Sequence, residues 1–122
     1  MSDICGVDID NIDEIRAKKR HYGDGPCPIE RGMRVVGGKW TGTILWHLQA
    51  GPVRFNELSR FLKGASKKMI VQRLRELEEK NLIKRHVISE KPIAVSYELT
   101  DFGRTALHFL DQLKDWSIEH DL

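Results

Sequence analysis

The chain has 122 residues, one domain's length with some to spare, and folding at this size removes roughly two-thirds of the unfolded surface from water, enough for one core without staples. It is 40% hydrophobic and 31% charged, has no apolar run near the ~20 residues of a bilayer-spanning helix, and starts MSDICGVDID, acidic where a secretory leader is basic. Membrane span, collagen, wholesale disorder and secretion are disfavoured, and two cysteines make no disulfide scaffold, so a reducing cytoplasm is expected.

The net charge of +2 hides a division: residues 1–25 sum to −2, 54–91 to +6 and 98–122 to −4. A positive centre between acidic ends makes a field that draws a polyanion to one surface. A merely solvated charged face gives the same totals, so the pattern inside the elements has to decide.

Residues 1–25 read as a polar, partly ordered arm in which Ile9, Ile12 and Ile15 form the only regular apolar set, and HYGDGP separates it from a domain over 26–122. A first helix opens at Pro28, where a missing N–H matters least, with Ile29, Met33 and Val36 on one stripe before Gly37-Gly38. A second runs from about Lys39 to Ala50, burying Trp40, Ile44, Leu45 and Leu48 and stopped by Gly51-Pro52. Gly42 inside it costs about 1 kcal/mol relative to Ala, which implies close packing against a neighbour. Phe55, Leu58 and Leu62 define a short third helix with Asn56 as its cap and Gly64 as terminator. Ser66 caps a fourth, with Ile70, Leu74 and Leu77 inward.

After Asn81 the period drops to 2. Leu82 to Glu90 and Ile93 to Leu99, parted by Lys91-Pro92, predict a hairpin. Thr100 caps a last helix whose broad apolar side carries Phe102, Ala106, Phe109, Leu110, Leu113 and Trp116. The expected fold is mainly α (α+β), a winged helix-turn-helix with flanking N- and C-terminal helices.

The fourth helix carries the functional signal. Lys67, Lys68, Arg73 and Arg75 occupy its first ten residues without an acid, while Glu76, Glu78 and Glu79 crowd its end. The helix dipole favours the reverse order, so the arrangement needs another cause. Duplex DNA supplies one, because a helix entering the major groove N-terminus first meets phosphates and base edges with its opening turns. Lys68, Gln72 and Arg75 are the expected groove contacts. Lys67, Arg73, Arg85 and Lys91 are the expected phosphate contacts, the last two from the hairpin as a wing, and Ser66 is counted with the DNA-binding residues; Lys84 and His86 add to the basic strand. Plain edge strands also carry such cations.

The five histidines and two cysteines show no metal-ligand spacing, and no GxSxG, P-loop or GxGxxG occurs; GGKW is a turn between helices. Neither an enzyme nor a cofactor is expected, and the absence of CxxC argues against a thiol redox enzyme. Cys27 stands ahead of Pro28, where a helix N-terminus and Arg31 favour the reactive thiolate.

The segments CPIERGMRVVGGKW, GPVRFNELSRFLKGASKKMIVQRLRELEEKNLIKR and YELTDFGRTAL resemble the HxlR-type winged helix-turn-helix transcription regulators, relatives of the MarR regulators, over residues 27 to about 120. The resemblance implies a bacterial or archaeal DNA-binding homodimer paired largely through its first and last helices, with the helix of Lys68, Gln72 and Arg75 as the recognition helix. It also implies a sensor of oxidants, quinones or aldehydes at Cys27, joined on oxidation to its twin or to Cys5. The wing departs from the family in keeping one proline and placing Ser96 before Tyr97.

Ile29, Met33, Phe109, Leu110, Leu113 and Trp116 are the expected pairing residues, since the last helix offers more apolar side chain than one small domain covers. A two-fold dimer sets two recognition helices about 34 Å apart on a roughly palindromic operator. Two alternatives stay open: the same regulator switched by a small apolar ligand at the dimer interface near Trp40 and Trp116, and a winged-helix module that binds proteins and not DNA.

Overall fold

The structure, a computed structural model, describes residues 3–4, 7–8 and 25–122 and falls into two compact units, Met1–Arg34 and Val35–Leu122. In the first, strands β1 (Asp3–Ile4) and β2 (Val7–Asp8) pair antiparallel, Asp3 opposite Asp8 and Ile4 opposite Val7. The expectations for Cys5, Ile9, Ile12 and Ile15 lie outside the described residues. Helix α1 (Pro28–Val36) begins in this unit and ends in the next. The Arg31 N–H donates to the Cys27 carbonyl at 3.0 Å, which places the half-buried Cys27 at the helix mouth. Ile29 and Met33 are exposed.

The second unit contains α2 (Thr41–His47), β3 (Val53–Arg54), α3 (Phe55–Phe61), α4 (Lys67–Glu79), β4 (Ile83–Glu90), β5 (Ile93–Leu99) and α5 (Asp101–Glu119). Its core is the apolar set that helical spacing selects: Ile44, Leu45, Leu48, Leu58, Ile70 and Leu74 are fully or almost fully buried, and Val35 and Val36 pack against them. The strands form an antiparallel sheet in the order β3-β5-β4. Strand β3 is missing from the sequence reading because two residues are too short to show a period. It pairs Val53 with Tyr97 and ties the start of α3 to the hairpin.

Helix α2 is shorter than the expected span from Lys39 to Ala50. It starts late because Trp40 takes a left-handed backbone (φ 76°), and it ends at His47, where the Leu48 and Gln49 N–H groups bond three residues back. A β-carbon placed on Gly42 would lie 3.2 Å from Leu110 Cδ2, so α2 and α5 do meet closely there. The cap of α3 also differs from expectation. Arg54, not Asn56, precedes the helix, and no side chain caps it. Gly64, at φ 94°, ends the α3 segment, a conformation that favours glycine.

Thr100 does more than cap α5. Its Oγ1 accepts the Gly103 N–H at 2.9 Å and donates to the Asn81 carbonyl at 2.7 Å, while its N–H donates to the Leu82 carbonyl at 3.0 Å. These bonds draw α5 so close to Leu82 that a β-carbon on Gly103 would collide with the Leu82 carbonyl oxygen. At the other end of the sheet, the register shifts between Val87 and Ser89, leaving Ile88 as a bulge in the outgoing strand. The Lys91–Pro92 peptide at the turn is cis.

Candidate nucleic-acid interface

Helix α4 is fixed by its inner side and capped as its sequence implies. Ile70, Leu74 and Leu77 are at most 1% exposed, and the Ser66 hydroxyl accepts the Met69 N–H at 3.1 Å. That cap satisfies one orphan donor of the first turn and leaves the hydroxyl proton to donate outward. Lys67, Lys68, Gln72 and Arg75 are exposed. No hydrogen bond or ion pair holds Lys67, Lys68 or Arg75 among the described residues, so their cations face solvent unpaired. Lys67, Val71 and Arg75 follow one another at i, i+4, i+8 along one edge of the helix.

That edge borders a cleft of about 280 Å³ between α4 and the hairpin, lined by Val71, Arg54, Phe55, Asn56, and Ile93 to Val95 with Tyr97. Register places Arg85 opposite Tyr97, on the sheet face that turns toward this cleft, and Arg85 and Lys91 are exposed. Arg54 and Asn56 were not among the expected contacts. Their signal in the sequence was slight: a polar pair at a helix start is normally a cap, and only the absence of a side-chain cap frees them.

Two of the basic residues singled out in the sequence are engaged elsewhere. Arg73 turns away from solvent: its Nε donates to the Lys39 carbonyl at 3.0 Å and its Nη1 to both oxygens of Glu76 at 2.9 and 3.2 Å. Gln72 donates to the same carboxylate at 3.3 Å, and the Arg73 hydrogen bond holds the Glu76 carboxyl below its ordinary range. On the wing, His86 Nε2 lies 2.7 Å from Glu98 Oε1, across the ladder.

The pairing residues separate likewise. Phe109, Leu113 and Trp116 are 44%, 40% and 53% exposed and share one face of α5 with Phe102. Leu110 is not on that face; it lies in the protomer's own core against Gly42. His47 stacks on Phe61 with ring centroids 4.7 Å apart. Among the described residues no cluster of His, Cys, Asp and Glu could hold a metal, and no helix is long and apolar enough to cross a membrane.

A helix-turn-helix made of α3 and α4, followed by a two-stranded wing and with an unpaired basic leading end, defines the winged-helix class of DNA-binding proteins. The model of the HxlR-like helix-turn-helix family matches residues 35–121, and the chain belongs to that family. It is 41% identical over 90 residues to the HTH-type transcriptional regulator YdeP of Bacillus subtilis, covering 74% of this chain and 70% of YdeP. It is 33% identical over 96 residues to the HTH-type transcriptional regulator YodB of the same organism, covering 78% and 86%. Among solved structures it resembles the redox regulator HypR in its reduced form, with a TM-score of 0.74 and 37% identity over 78% of this chain and 94% of that one. The protein is thus a DNA-binding transcription regulator and not an enzyme.

Proposed function

We propose that the chain acts in the cytoplasm as a homodimer that binds a roughly palindromic operator through the leading half of α4, with residues 26–122 as the regulator domain and 1–25 as an arm. The observation that carries this is the contrast within α4: its apolar side is sealed, while Lys67, Lys68 and Arg75 stand exposed with no hydrogen-bond or ion-pair partner among the described residues. Lys68, Gln72 and Arg75 read the major groove, and Ser66, Lys67, Arg85 and Lys91 bind phosphates. Arg54, beside the cleft between α4 and the wing, joins the phosphate contacts. Dimerisation covers Phe109, Leu113 and Trp116 of α5, with Ile29 and Met33 of α1.

The switch is oxidation at Cys27, supported by the half-buried thiol at the mouth of α1 and by similarity to a protein named a redox regulator. Two thiols lose two electrons and two protons to hydrogen peroxide, which leaves as two waters, and an S–S bond joins Cys27 to Cys27 of the partner subunit or to Cys5. Peroxide or diamide is expected to weaken operator binding, and Cys27→Ser to abolish the response. A response unchanged in Cys27→Ser removes the thiol switch and turns the search to an apolar effector near Trp40 and Trp116.

The groove assignment is tested by operator affinity. Arg75→Ala and Lys68→Ala are each expected to cost about 1–3 kcal/mol if they contact base edges. A footprint should show two half-sites about one helical turn apart. Affinity indifferent to both substitutions would favour a protein-binding module.

A further inference from the structure

Arg73 belongs to the basic leading part of the recognition helix, yet its side chain is only 21% exposed and its Nε and Nη1 are spent on the protein itself. Its Nε reaches thirty-four residues back in sequence to the Lys39 carbonyl. That carbonyl lies in the turn from Gly37 to Trp40, between α1 and α2. The turn carries two left-handed residues in a span of three: Gly38 at φ 97° and Trp40 at φ 76°. For a tryptophan this backbone costs about 1–2 kcal/mol and persists only where its surroundings over-determine it.

Three contacts hold the turn. Arg73 takes its central carbonyl, the Lys39 ammonium lies 5.3 Å over the Trp40 ring, and the Trp40 indole packs over Gly64, in the turn that leads into α4. Two of them run to α4 or to its lead-in. The Glu76 carboxylate fixes the other side of the guanidinium, so the plane of Arg73 is set from both ends.

We infer that Arg73 is a positioning residue for DNA recognition, not a phosphate contact: it sets the pose of the reading helix against the turn that follows α1. This inference rests on α4 as the DNA-reading element. The chemistry suits arginine alone, because a planar fork donates to a carbonyl and a carboxylate in two fixed directions, whereas a lysine ammonium offers one point charge. Glu76, on the same helix, completes the device and is itself turned away from the role of a free surface acid by Arg73 and Gln72.

The substitutions Arg73→Lys and Glu76→Ala separate the two roles. If Arg73 bound phosphate, lysine would largely preserve affinity, and removing Glu76 would free the guanidinium and tighten binding. The positioning role predicts the opposite. Arg73→Lys weakens operator binding about tenfold with the salt slope of the wild type, a size typical of coupled contacts. Glu76→Ala also weakens operator binding despite removing a negative charge, and the double variant is no weaker than the worse single one. Binding to non-operator DNA, which reads charge and not pose, stays unchanged in Arg73→Lys.

Full rescue by lysine, a flattened salt slope in Arg73→Met, or tighter operator binding by Glu76→Ala would each overturn the inference. Arg75→Ala distinguishes this failure from failure of the DNA-reading assignment itself: if it too leaves operator binding intact, α4 is not the reader. Thermal melting of each variant excludes loss of fold as the cause.

Discussion

Whether a cation near DNA is a contact or a strut is decided by where its hydrogen-bond donors are spent. Lys68 and Arg75 expose theirs, while Arg73 spends Nε and Nη1 inside the protein. The sequence shows both kinds of residue on one basic stretch, and nothing in a helical wheel reveals that the Lys39 carbonyl will face Arg73, since the contact joins residues thirty-four apart. The same pair has a signature in acid. Arg73 lowers the Glu76 carboxyl from its ordinary 4.5, so the pair stabilises fully above that range and is lost as pH falls through the depressed value. On a half-exposed surface this amounts to at most about 1 kcal/mol. Acid unfolding of Glu76→Gln is therefore expected to be slightly shallower below pH 4.5 than that of the wild type. Identical curves would mean that the pair does not persist in solution.

At the scale of elements, period and caps were the legible signals. The inward side of α4, the caps Ser66 and Thr100, and both strands of the wing follow from spacing and residue type. What stayed hidden depended on tertiary approach. The start of α2 shifts because Trp40 adopts φ 76°, which no propensity would favour. Leu110 looked like its neighbours Phe109 and Leu113, but the missing side chain of Gly42 lets it into the core and leaves them outside. Gly103 offers a test in which two effects have opposite signs. Alanine in a helix interior gains about 1 kcal/mol over glycine by propensity. Here its β-carbon would strike the Leu82 carbonyl, and forcing atoms into a packed site costs about 1–3 kcal/mol, at the upper end when the obstacle is backbone. Gly103→Ala is expected to lower the melting temperature by several degrees in thermal unfolding. A rise would show that α5 does not lie this close to the hairpin.

The whole molecule leaves large apolar side chains on α5 without a cover in one protomer: Phe102, Phe109, Leu113 and Trp116 recur at positions that share a helix face. Isolated surface leucines need no explanation, but a contiguous face of two phenylalanines, a leucine and a tryptophan does. A second copy is the cover proposed above. Leu113→Glu and Trp116→Glu would each put a charge into that contact, and sedimentation should then show a monomer whose fold is intact, because neither side chain is in the core. A dimer unmoved by either change would locate the pairing elsewhere. Pairing matters for DNA because one recognition helix covers only a few base pairs, and two held one helical turn apart give both affinity and a spacing requirement.

The central claim is that the exposed cations of α4 meet the phosphates and base edges of a duplex. Operator affinity measured from low to moderate salt for the wild type and for Lys67→Ala/Lys68→Ala/Arg75→Ala tests it most directly. Loss of the base contacts of Lys68 and Arg75 should make the triple variant bind far more weakly, and loss of the Lys67 phosphate contact should lower the slope of log affinity against log salt by about 0.9. A triple variant that keeps the wild-type slope and affinity would contradict the account.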